Sequence, residues 1–243
     1  MASDFRQPDH LPKVRGDDGA DPGGLPRQRR GTTPQMYGRY PDYDCLAQAG
    51  HWDELTRKLV VDRVDRVPQL RFFSDAEAAT LIAFCDVVLA QDAEPRIPVL
   101  AFVDQKLFAG ALDGYQYAEM PDDRETWQLV ARGLDESART SGPESYAAAP
   151  IGRQQEIMHA FAEGELSGGV WEQLDCKRAW SVVMRSVLAA FYSHPWAWNE
   201  IGFGGPAYPR GYARLGVGLS EAWEGVEAIA VDPGADLEQR EVE

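Results

Sequence analysis

The sequence predicts an all-α protein, and three observations carry the prediction. Beyond residue 35 apolar residues recur at helical spacing, convincing period-two alternation is absent, and the helical stretches open and close on recognisable caps. The layout read from this pattern is a disordered arm at 1–35, a single helical domain at 36–228 with a long Gly/Pro/aromatic-rich C-terminal loop, and an acidic tail at 229–243.

Each element has its own signal. A short amphipathic piece runs from about His51 to Val64. Ser74-Asp75-Ala76-Glu77 reads as a capping box, the Ser hydroxyl accepting from the third helical amide while the Glu reaches back, so a helix follows to about Ala90. Its apolar residues Leu81, Ile82, Phe84, Cys85, Val88 and Leu89 cover more than one stripe, which predicts a central position. Another helix begins near Pro98, where proline is tolerated in a first turn, and aligns Val99, Leu100, Val103 and Leu107. After Pro121, Trp127, Val130, Ala131, Leu134 and Ala138 define a third, ending near Gly142-Pro143. A more polar helix spans about Arg153–Glu163 before a break at Gly164 and Gly168-Gly169. The strongest run, about Trp171–Ser193, repeats Trp180, Val183, Met184, Val187, Leu188 and Phe191 and is stopped by Pro195. A terminal turn is expected near Ser220–Val226.

Composition narrows the function. In 243 residues, 44% are hydrophobic and 26% charged, enough for a sizeable core. With 24 Lys plus Arg against 39 Asp plus Glu, the formal charge of −15 repels phosphate backbones and anionic lipid, so nucleic acid is a poor partner. The arm is nearly neutral, with six basic and five acidic residues in 1–30, so the excess belongs to the rest. No apolar run nears the roughly 20 residues of a membrane span. Cys45, Cys85 and Cys176 lie far apart without zinc spacing and read as free thiols. Arg29-Arg30 looks like a twin-arginine pair, but Gly31-Thr32-Thr33-Pro34-Gln35 follows instead of an apolar stretch, so no export signal is read and a cytoplasmic location is expected.

Candidate chemistry is thin. Gly202-Phe203-Gly204-Gly205-Pro206-Ala207 fits a dinucleotide fingerprint in letters, yet a phosphate cradle needs a preceding strand and a following helix, and neither is predicted. Asp42, Asp44, Cys45, His51 and Asp53 are the densest set of metal-ligand types, but their spacing matches no frame, and turn and cap roles are favoured. His194 is read at a helix end, where its imidazole can bond the last carbonyls; a general-base role would need a cleft partner. Asp122-Asp123 fits a helix's first turn, Glu221 and Glu224 have no acid–base geometry in sequence, and Cys176 reads as a packed thiol beside Lys177 and Arg178. The sequence thus assigns no catalytic, cofactor-binding or metal residue to this chain.

The aromatic density from Phe191 through Tyr212 is the unusual feature. Proline and glycine fix the backbone while rings supply area, either as a loop folded onto its own helices or as a docking surface.

The stretch YSHPWAWNEIGFGGPAYPRGY, Tyr192–Tyr212, resembles the signature of the gluconate 2-dehydrogenase subunit 3 family, and YGRYPDYDCL from Tyr37, HWDELTR from His51, FFSDAEAATLIAFCDVVLAQD from Phe72 and GYQYAEMPDD from Gly114 are similar to it too. The resemblance implies a non-catalytic small subunit of a dehydrogenase complex. Its large partner would be a GMC-type oxidoreductase that carries the FAD and oxidises a sugar, sugar acid or polyol, in some complexes with a cytochrome c subunit. This chain would serve assembly, stability or escort. Many relatives carry a twin-arginine signal that this sequence lacks, so the complex either stays in the cytoplasm or is exported on the partner's signal. Trp196, Trp198, Phe203, Tyr208 and Arg210 are the expected partner-interface anchors, chosen by ring size and loop context. The rival readings are a stand-alone enzyme using a helical pocket around His194 or His51, and a structural helical protein without a flavoprotein partner.

Overall fold

A computed structural model of the protein describes residues 40, 43–92, 94–111, 116–213 and 220–226. The arm and tail expected at 1–35 and 229–243 lie outside the described residues. Among the described residues the structure is helical without strands, as predicted: α1 Glu54–Asp65, α2 Asp75–Val88, α3 Val99–Phe108, α4 Asp123–Arg139, α5 Ile151–Glu163, α6 Cys176–Phe191 and α7 Pro195–Glu200, with 3-10 helices at Cys45–His51 and Gly169–Glu172. No helix among these residues is long and apolar enough to cross a membrane. The described residues sort into two compact units, one of residues 67–191 and one joining those up to Arg66 with those from Tyr192 to 226.

In the 67–191 unit, α2 packs against α3, α4 and α5, and so is central as its sequence predicts. The capping box forms as read, Ser74 accepting from Glu77 N–H while the Glu77 carboxylate accepts from Ser74 N–H. Its buried face is Leu81, Phe84 and Cys85, whereas Ile82 is 44% exposed, so the apolar surface is narrower than the sequence implied. Phe84 sits among Tyr146, Phe161 and Trp180, with ring centroids 5.9–6.3 Å away. Burying a side chain of that size contributes about 1.5–3 kcal/mol.

The predicted stripes of α3 and α4 are buried throughout. Asp122 caps α4, and Gly133 occurs mid-helix because the Trp171 indole lies against it; an added Cβ would stand 2.6 Å from Cζ2. Gly164 closes α5 in the left-handed region at φ 77°.

Polar groups in this interior hold loops to helices. Asp104 is fully buried and accepts the main-chain N–H of Arg71, Phe72 and Phe73 at 2.8, 2.8 and 3.1 Å, tying the approach to α2 onto α3. Asp135 accepts from Thr80 Oγ1 at 2.6 Å and Tyr146 N–H at 2.9 Å, and Gln154 Nε2 donates to the carbonyls of Tyr146 and Ala149. These satisfy groups whose burial without partners would be costly.

The stretch predicted as one helix from Trp171 to Ser193 is two elements. The 3-10 turn ends at Glu172, and Asp175 opens α6 by accepting Arg178 N–H at 2.9 Å. A serviceable cap between two apolar runs breaks what periodicity alone joins. The inward face of α6 is Ala179, Val182, Val183, Ser186, Val187, Ala190 and Phe191; Trp180 and Met184 are half-buried and Leu188 is 41% exposed. Small residues take inward positions where neighbouring helices come close, displacing the bulkier stripe by one residue.

Candidate functional site

The motif at 192–212 lies in the other unit, where three sequence-distant segments build one aromatic layer. Its first turn is set by His194. The Nδ1 atom accepts the Trp196 N–H at 3.2 Å, making His194 the N-cap of α7, with Pro195 in the first turn. With Nδ1 an acceptor, the proton belongs on Nε2, which donates to the Arg63 carbonyl at 3.1 Å. Sequence reasoning placed this imidazole on the end of the preceding helix. It caps the following one, because Pro195-Trp196-Ala197-Trp198, read as loop, is helical: a proline that ends one helix is pre-organised to begin the next.

Burial pushes the His194 imidazole down to about 3, against the small opposing effect of its bond to Arg63. Both nitrogens serve the backbone and the ring is 1% exposed, an arrangement that orients chain rather than moving protons. Arg63 closes the same corner, its Nη1 donating to Ser193 Oγ at 2.7 Å.

The glycines of the motif are seats for rings. A Cβ on Gly202, whose φ is 68°, would stand 2.6 Å from Tyr40 Cε1, and one on Gly205, φ 75°, would stand 2.6 Å from Trp52 Cζ2. Gly204 lies under Trp223, and Gly225 packs against Tyr40 and Tyr43. Hydrogen bonds fix the same layer: Tyr43 OH donates to the Trp223 carbonyl at 2.6 Å, Cys45 N–H to Asn199 Oδ1 at 2.7 Å, Cys45 Sγ to the Pro195 carbonyl at 3.3 Å, and Gly225 N–H to the Gly202 carbonyl at 2.8 Å. Tyr40, Tyr43, the segment from His51 and the segment from Tyr192, separate in sequence, are thus one constellation. Sequence reasoning missed Tyr40, Tyr43, Trp52 and Trp223 as its members; the available signal was a surplus of glycine beside a surplus of rings.

The five expected anchors fall on different sides of this layer. Trp196 and Trp198 are interior, at 6% and 9% exposure, and Trp198 Nε1 donates to the Tyr192 carbonyl at 2.6 Å. Phe203 is half-buried, edge-on to Trp198 with centroids 5.5 Å apart. Arg210 is half-buried, its Cζ 4.1 Å over the Trp223 ring and its Nη1 donating to Gln48 Oε1 at 3.1 Å. Tyr208 is 48% exposed, as are Tyr192 and, nearly, Tyr212 at 46%.

The other candidates have structural occupations. Asp44 accepts from Leu46 N–H and Asp53 from both Thr56 N–H and Oγ1, so both are caps, while Asp42 lies outside the described residues. Among the described residues no three His, Cys, Asp or Glu stand together as a metal would require. Asp122 accepts from Glu125 N–H, and Glu224 from Glu221 N–H. Cys176 Sγ lies 3.7 Å from the Phe161 carbonyl, and burial raises its thiol above the usual range. Gly202–Ala207 follows the helix α7 rather than the strand that the dinucleotide fingerprint requires before its glycines.

No curated protein and no solved structure matches this chain. The model of the family described as "Gluconate 2-dehydrogenase subunit 3" matches residues 75–205, just over half of the sequence, running from the capping box of α2 to Gly205. The chain belongs to the gluconate 2-dehydrogenase subunit 3 family.

Proposed function

We propose that this protein is the non-catalytic small subunit of an FAD-dependent sugar, sugar-acid or polyol dehydrogenase complex, supporting assembly, stability or escort of a large GMC-type flavoprotein subunit. Family membership is the observation that carries the reading. It is supported by the use of the motif residues: His194, Asp44, Asp53 and the motif glycines are occupied in capping helices and seating rings. The flavin and the oxidation step belong to the partner, and in some complexes a cytochrome c subunit takes the electrons onward.

In this reading the aromatic loop faces the partner. Tyr208 stands outermost, Phe203 and Arg210 are half-buried behind it, and Trp196 and Trp198 hold the loop from the inside. A rigid loop spends little conformational entropy on docking, and a ring or guanidinium beside buried neighbours is the usual form of an interface anchor. A cytoplasmic location for the complex is part of this proposal.

The test is co-expression with a candidate large GMC-type flavoprotein from the same source. The reading expects soluble, FAD-loaded, active large subunit only when both are present, and co-purification of the two. Full recovery of active flavoprotein in the absence of this chain overturns it, as would dye reduction by the purified single chain.

A further inference from the structure

We draw no further inference here: the strongest candidate, the surface patch where Arg71 lies over the exposed ring of Phe108, with exposed Val67 and Leu70 preceding it in the chain, is an apolar face of the 67–191 unit, and nothing in the structure shows what covers it.

Discussion

An acid-side pH linkage in this fold runs through His194, and its size follows from the burial of the imidazole. The imidazole is neutral in the folded chain, its value pushed down to about 3 by burial, with Nδ1 accepting from Trp196 and Nε2 donating to Arg63. In the unfolded chain the same group titrates near about 6.5. Between those values the unfolded state binds more protons than the folded one, so stability is complete above about pH 6.5 and falls as pH drops toward 3. At pH 5 the unfolded histidine is favoured by a factor of roughly 30 through its proton, which is about 2 kcal/mol of lost stability, and the loss grows to about 4 kcal/mol near pH 3. The pH 5 figure is set almost wholly by the unfolded state, because the folded histidine is still neutral there.

Carboxylates also respond to acid, so the measurement is a difference. Asparagine at position 194 retains a side-chain oxygen able to cap α7 and cannot titrate. Urea unfolding of wild type and His194→Asn at pH 7 and pH 5 should show wild type losing about 2 kcal/mol more than the variant over that interval. Equal losses would refute the neutral, doubly bonded imidazole and the cap built on it.

Gly205→Ala combines a left-handed backbone with a Cβ 2.6 Å from Trp52, so it should cost about 2–4 kcal/mol in urea unfolding, whereas Gly211→Ala, at φ 73° with nothing within 4 Å, should cost only about 1 kcal/mol. Gly133→Ala should lower stability by about 1–2 kcal/mol even though alanine is the better helix former, because the Trp171 indole must move; loss of the Trp171 Nε1–Ser137 hydrogen bond, read from the indole N–H resonance, reports the displacement. Asp104→Ala strips the main-chain amides of Arg71, Phe72 and buried Phe73 of their acceptor and should cost about 2–4 kcal/mol, with hydrogen exchange accelerated at Phe72 and Phe73 first.

Most of the 67–191 unit is legible in the sequence, for a physical reason: its helices are amphipathic and carry local stop and start signals. Ser74, Asp122 and Gly164 act within a turn of themselves, so the ends they mark follow from neighbours in sequence. The failures arise where a distant residue decides. Ile82 and Leu188 fit their stripes by periodicity but face outward, and Ser186 and Ala190 face inward because neighbouring helices leave room only for small side chains there. Asp175 caps α6 in the middle of an apolar run, so periodicity alone runs across the helix start that it marks. In the other unit nearly every decisive contact spans about 130–180 residues, as between Tyr43 and Trp223, Cys45 and Asn199, or His194 and Arg63, and no local pattern contains such information.

That difference explains why the 192–212 motif is dense yet chemically unreadable. A catalytic motif is dense because reacting groups must stand at fixed spacing on one backbone element, and its residues tend to be titratable. Here density comes from packing reciprocity: each ring brought from residues 40–52 or 223 requires a position without a Cβ, and each such glycine loosens the chain, which Pro195 and the His194 cap then stiffen. Nearly all the letters of the motif are consumed by this exchange of ring for glycine. Tyr208, turned outward, is left over from it. Residues that a tightly reciprocal layer does not use are the ones through which it can address something else, and among the five expected anchors that residue is Tyr208, whose phenol is half exposed while the other four are packed into the layer.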